Sequence, residues 1–272
     1  MLALRKAGPE FGAVLEEVPE PQLKPGMVMV EVEAAGICGS DIHMYEWTSG
    51  YEWMIPSLPV TMGHEFAGRV SALGDGVSGI REGQAVVVQP SSACGVCDAC
   101  LAGKPLACTD KKSIGLNVDG GFAPRVAVPV ECCIATGNSL APHIAALTEP
   151  FCVGDRAVEF GDIEPGQNIV VLGPGIIGLS TAFIAKRHGA ASVTVQERPT
   201  AVGHCGENGR GPCHRFGRRR QPLRPYTGAQ RRSRVRGNRI RGKHFPGPGA
   251  APRFRHYDCL LYTSDAADDL WC

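Results

Sequence analysis

The stretch "NIVVLGPGIIGLSTAFIAKRHGAASVTVQER", residues 168–198, decides how the second part of the chain folds. "NIVVL" is a short apolar run closed by glycine, the mark of a buried strand. "GPGIIG" follows, then an apolar segment that reads as a helix ending near Gly189, and then "SVTVQE" as a second strand. Strand, glycine turn, helix and strand in this order make the βαβ start of a dinucleotide-binding Rossmann unit. Gly173, Gly175 and Gly178 form G-x-G-x-x-G. That motif is weak alone, but here it has the strand before it and the helix after it that it needs. The first glycine makes the turn, the second lets a pyrophosphate approach the backbone, and the third lets helix and strand pack closely. Glu197 lies 19 residues past Gly178. A carboxylate there binds both ribose hydroxyls and favours NAD, while the adjacent Arg198 keeps NADP open.

Upstream the texture differs. "MVMVEVEAAG", "FAGRVSALG", "QAVVVQP" and "PRVAVPV" are short alternating runs separated by Gly- and Pro-rich turns, an all-β pattern with long loops over residues 1–150. A chain of 272 residues has room for roughly two domains. The expected division is 1–150 for the β-rich unit and 151–202 for the βαβ start.

"CGVCDACLAGKPLAC" sets Cys94, Cys97, Cys100 and Cys108 at spacings of three, three and eight. Four thiolates from one tight loop suit a tetrahedral zinc, and a closed sulfur shell leaves no position for substrate, so the site is structural. An iron–sulfur cluster is the chemical alternative. Twelve cysteines in a chain whose first residues lack a signal-peptide core also favour metal over disulfides, and a cytoplasmic location. No apolar run is long enough to span a membrane.

"GICGSDIH", "GHEF" and "LTEPF" are weak separately. Together they supply a thiolate at Cys38, an imidazole at His64 and carboxylates at Glu65 and Glu149. Three protein ligands with an open position are what a catalytic zinc needs. Such an ion acts as a Lewis acid on an alcohol or carbonyl oxygen. Cys152, three residues past Glu149, is an alternative ligand; Cys132 and Cys133 read as packing residues.

"GICGSDIHMYEW", "PVTMGHEFAGRV", the four-cysteine loop, "TEPFCVGDRAV" and "VVLGPGIIGLSTAFIAKRHGA" occur in the order found in the zinc-dependent medium-chain alcohol dehydrogenase superfamily, which residues 1 to about 200 resemble. The acidic zinc-site residues and "HMYEW" are most similar to its polyol and L-threonine dehydrogenase branch. The resemblance implies an α/β protein with a β-rich first domain: a GroES-like β-barrel catalytic domain followed by a Rossmann domain, here truncated. It implies two zinc ions per chain, NAD as cofactor, and a small secondary alcohol or ketone as substrate (a polyol, a diol or L-threonine). It makes Cys38 and His64 ligands of the catalytic ion, Glu65 an exchangeable ligand and Glu149 the remaining one, held on the ion directly or one layer out. Ser40 would hydrogen-bond the substrate hydroxyl, His43 would pass its proton to solvent, and Asp41 would orient His43 or the zinc shell. Relatives of full length are commonly homodimers or homotetramers.

The net charge of +1 hides an asymmetry. Residues 1–202 carry 13 Lys and Arg against 22 Asp and Glu, whereas residues 203–258 carry 15 against two. That Arg-rich stretch could be a nucleic-acid-binding arm, a disordered regulatory tail, or a segment outside the protein's coding frame. Its arginines are interleaved with Gly and Pro, and no side-chain period continues a parallel sheet. "ENGRGPCHRFG", Glu207–Gly217, has codons that permit K-M-G-A-x-H-A-I-D-S one base later, a continuation typical of the resembled family. "CLLYTSDAADD", Cys259–Asp269, resembles a translated sequencing-library adapter. Residues 203–258 are therefore expected to be out of frame and disordered, and 259–272 adapter-derived. Neither nucleic acid nor membrane is an expected partner. A non-catalytic zinc-binding fragment is the alternative to a working dehydrogenase.

Overall fold

The structure, a computed structural model, describes residues 1–196 and the two-residue strand Tyr257–Asp258. In chain order the elements are β1 (Leu2–Lys6), β2 (Val14–Glu17), β3 (Met27–Gly36), α1 (Gly39–Glu46), β4 (Val60–Thr61), β5 (Glu65–Leu73), β6 (Ala85–Val88), β7 (Ser91–Ser92), α2 (Asp98–Leu101), β8 (Lys112–Ser113), β9 (Arg125–Pro129), β10 (Cys133–Ala135), α3 (Pro142–Ala145), α4 (Thr148–Phe160), β11 (Asn168–Leu172), α5 (Ile176–Arg187), β12 (Ser192–Gln196) and β13 (Tyr257–Asp258).

A five-stranded antiparallel sheet, β10-β6-β5-β3-β9, forms the centre of the first part. Its inward positions are the alternating valines. Val28 and Val30 of β3 meet Phe66, Val70, Val86, Val88, Val126 and Val128 in one buried cluster. Each fully buried Val contributes about 1.5–3 kcal/mol, so this layer fixes the sheet register. The start of β5 is buried on both faces. Phe66 joins that cluster, while Ala67 packs with Val87, Ala145 and Ala146 under α3. Small side chains on that face let the helix lie close. The pairing of β3 with β5 shifts register between Val32 and Ala34, a bulge that turns the end of β3 toward α1.

The strands read from the sequence correspond to β3, β5, β6 and β9. The all-β expectation for residues 1–150 needs correction, because α1, α2 and α3 lie within it. The 13-residue α4 runs across the division placed at 150.

The second part is a parallel βαβ unit. β11 pairs with β12 from Asn168↔Ser192 to Leu172↔Gln196, and α5 connects them. Val158, Ile163, Ile169, Val171, Ala185 and Ala190 make its core. The expectation that nothing past residue 200 extends this sheet is overturned at one place. Tyr257 and Asp258 pair in parallel with Val171 and Leu172 on the other edge of β11. A two-residue bridge uses only backbone N–H and C=O groups, so it leaves no side-chain period to read. The expectations for Glu197, for the rest of 197–256 and for 259–272 fall on residues outside those described. Among the described residues no helix is long and apolar enough to cross a membrane.

Two local devices bear on the site. Gly63, at φ +92°, directly precedes His64. A β-carbon on Gly115 would lie 2.4 Å from the Gly63 carbonyl oxygen, and one on Gly120 would lie 2.1 Å from it. Backbone is thus packed on backbone beside His64. The second device is Lys6, which has no exposed surface. Its Nζ donates to the carbonyls of Glu10, Gly12 (2.9 Å) and Tyr45 (3.2 Å), satisfying all three ammonium donors. Tyr45 lies in the last turn of α1, where the helix dipole favours a cation.

Candidate functional site

The ligand atoms of Cys94, Cys97, Cys100 and Cys108 all lie within 4.8 Å of one another. Sγ of Cys97 is 3.5 Å from that of Cys100, and Sγ of Cys94 is 4.0 Å from it. Four sulfurs around one zinc at about 2.3 Å stand about 3.8 Å apart, so the loop fits a single ion. An iron–sulfur cluster would divide the thiolates among two or four irons and spread them further. Backbone N–H groups serve the sulfurs: that of Cys94 donates to Cys108 (3.3 Å) and that of Cys97 to Cys94 (3.4 Å). Backbone donors hold the Cys97 thiol down at about 6 and also lower that of Cys108. Burial and the neighbouring sulfurs push Cys100 up to about 12. Four thiolates cannot all ionise side by side without a cation, and the donor set calls for one.

A second group joins Cys38, His64 and Glu65, again with ligand atoms within 4.8 Å of one another. Three elements bring it together. Cys38 follows β3 and sits at the N-cap of α1, while His64 directly precedes β5 and Glu65 opens it. His64 is 1% exposed and Glu65 7%. Asp41 holds the corner from α1: its Oδ2 accepts the Cys38 N–H at 2.8 Å, and its Oδ1 lies 3.7 Å from His64 Nδ1. Asp41 thus lies against Cys38 and His64. His43 turns elsewhere, its Nδ1 3.2 Å from Thr48 Oγ1. Ser40 is fully buried, with Oγ 3.3 Å from His64 Nε2.

The electrostatics favour a cation here. Burial lowers the His64 pKa, but Asp41 and Cys38 outweigh it and hold the imidazole well above its ordinary value. Burial raises Glu65, partly offset by His64. Glu149, in the first turn of α4, is pushed up to about 7 by burial, against the pull of His64. It stays outside the three-residue group, as does Cys152, which is exposed. The thiolate, imidazole and carboxylate are a donor set that zinc accepts.

The glycine loop joins β11 to α5. Gly173 is at φ +105°, and Gly175 is the N-cap of α5. A β-carbon on Gly178 would sit 1.9 Å from the Gly173 carbonyl oxygen. Helix and loop therefore touch through backbone, which leaves the N-terminus of a 12-residue helix facing the loop, a place that favours an anion. Gly178→Ala is expected to destabilise the chain by about 1–3 kcal/mol. An unchanged thermal midpoint would show that the loop yields.

Sequence reasoning missed Thr48 and Lys6. Thr48 comes five residues after His43, beyond a helix that had not been read, and Lys6 looks like an ordinary surface lysine beside "AGPEFG".

Residues 24–138 match the family model described as alcohol dehydrogenase GroES-like domain. The chain is 38% identical to the L-threonine 3-dehydrogenase of Pyrococcus furiosus over 199 residues, 72% of this chain and 56% of that protein. It thus spans little more than half the length of the curated relatives it matches. The structure of galactitol-1-phosphate dehydrogenase from Escherichia coli superposes with a TM-score of 0.64 at 30% identity, covering 72% of this chain and 55% of that one. A putative zinc-binding dehydrogenase from Sinorhizobium meliloti, bound to NADP, gives 0.62 at 35% identity, covering 71% and 55%.

Proposed function

Over residues 1 to about 200 the chain belongs to the zinc-dependent medium-chain alcohol dehydrogenase superfamily, and from that premise we propose that its site serves hydride transfer between a secondary alcohol and NAD. The observation that carries the proposal is the convergence of Cys38, His64 and Glu65 beside the buried Ser40 hydroxyl. Cys38, His64 and Glu65 would hold a catalytic zinc, with Glu149 adding negative potential from α4; Cys94, Cys97, Cys100 and Cys108 would hold a structural one. Bound there, the catalytic ion supplies Lewis acidity toward an alcohol oxygen.

The chain's own residues orient the substrate and carry its proton. Ser40 Oγ, 3.3 Å from His64 Nε2, would accept a hydrogen bond from a substrate hydroxyl and relay its proton. His43, one turn along α1 and 8% exposed, holds that proton on its way outward. Asp41 keeps Cys38 and His64 in place. Gly173, Gly175 and Gly178 with the α5 N-terminus receive the pyrophosphate of a dinucleotide, in what we take to be the start of a Rossmann domain. Preference for NAD over NADP rests on Glu197. A polyol, a diol and L-threonine all suit this chemistry, in a cytoplasmic enzyme that would pair into dimers or tetramers.

Metal content and alcohol-dependent NAD reduction, measured together, test this. Cys38→Ala is expected to lose one zinc per chain and all turnover, whereas Cys97→Ala loses the other zinc and chiefly stability. Equal, mild effects of both on turnover would count against two distinct sites. The alternative reading is a zinc-binding fragment without turnover. Two zincs with no reduction of NAD by any of the three alcohols would select it.

A further inference from the structure

We propose that Thr48 is a positioning residue that fixes the ring tautomer of His43, and that Lys6 holds the turn placing it there. The inference rests on the reading of His43 as proton carrier. His43 is nine-tenths buried, and its Nε2 has no hydrogen-bond partner, while its Nδ1 lies 3.2 Å from Thr48 Oγ1. A neutral imidazole carries one N–H. Placed on Nε2, that proton would be an orphaned buried donor, the rarest kind of unsatisfied group. Placed on Nδ1, it is donated to the Thr48 hydroxyl oxygen. Nε2 is then a bare lone pair on the buried side, able to accept a proton. When it does so, Nδ1 releases its proton to Thr48 Oγ1, and the hydroxyl passes its own to solvent. One proton enters, one leaves, and the ring ends neutral.

The position of Thr48 follows from an unusual helix end. α1 stops at Glu46, and Trp47 takes left-handed backbone angles, φ 53° and ψ 54°. Glycine commonly occupies that position, because a bulky side chain is strained there. The reversed turn brings the Thr48 N–H to the His43 carbonyl at 3.1 Å and the Trp47 N–H to that of Met44 at 3.3 Å. That folds the Thr48 side chain back onto His43. The Lys6 ammonium stands 5.2 Å from the Trp47 ring centroid while donating to the Tyr45 carbonyl. It clamps the turn from both sides, through the helix C-terminus and through the indole face.

The experiment is nitrogen-15 NMR of the imidazole rings in the full zinc-loaded chain, with His43 assigned by loss of its signals in His43→Gln. The wild type is expected to show the Nδ1–H tautomer. Thr48→Val should abolish the preference for Nδ1–H, and Thr48→Ser should restore the wild-type pattern. A purely structural role for Thr48 would not distinguish Val from Ser in this signature. An Nε2–H tautomer in the wild type would overturn the inference without any variant. So would a folded Thr48→Val chain with an unaltered pattern. Either failure leaves the Cys38 metal and turnover test of the proposed function standing, and failure of that test leaves the tautomer measurement valid.

Discussion

Treating the chain with a strong chelator will open the Cys94–Cys108 loop to chymotrypsin at Leu101 and Leu106 while the central sheet keeps its circular dichroism. Of the residues from Cys94 to Cys108, Cys108 is the one that is buried. The apolar side chains of the loop face outward: Val96 is 77% exposed, Leu101 74% and Leu106 65%. With no apolar core of its own, the loop depends on the metal for its shape. Binding energies of structural zinc in small peptides reach about 10–16 kcal/mol near neutral pH, so removal should accelerate cleavage by orders of magnitude. Cys97→Ser should reproduce the effect without chelator. Equal cleavage rates with and without chelator would mean that the loop is held by something other than a cation.

Lys6→Met will lower stability by at least about 3 kcal/mol, since hydrogen bonds from a charged donor contribute about 1.5–3 kcal/mol each. Methionine fills the space but leaves the carbonyls of Glu10, Gly12 and Tyr45 without their donor. For a unit of roughly 200 residues this corresponds to a fall of about 6–12 °C in thermal midpoint. Burial also depresses the Lys6 pKa, partly countered by Glu10. A loss under about 1 kcal/mol would show that the carbonyls find water instead.

The β-rich part was legible because its strands state their period. Val28 and Val30 alternate with outward residues, and glycine or proline closes each run. The helices were not. "GSDIHMYE" is eight residues long, and buried Ser40, Asp41 and His43 stand where a helix would show its apolar stripe. Chemistry has replaced the pattern there. In α4 the breakers Pro150 and Gly154 mask the helix. Pro150 is in the first turn, where its missing N–H costs nothing. Gly154 is where α5 approaches, since a β-carbon would come 2.3 Å from Ser180 Oγ. For the site, the motifs named the residues that meet: the four thiols, and Cys38 with His64 and Glu65. Where Glu149 stands relative to them is set by how α4 lies against β5, which no local spacing records.

The contact of Gly63 with Gly115 and Gly120 shapes what this gene can tolerate. One extra methyl at either partner, some fifty positions downstream and bearing no reactive group, would push on the peptide next to His64. A random-mutagenesis screen for inactive clones should therefore recover alanine at these two positions alongside the ligands themselves. Inherited variation at the imidazole would be constrained by crowding as much as by reactivity.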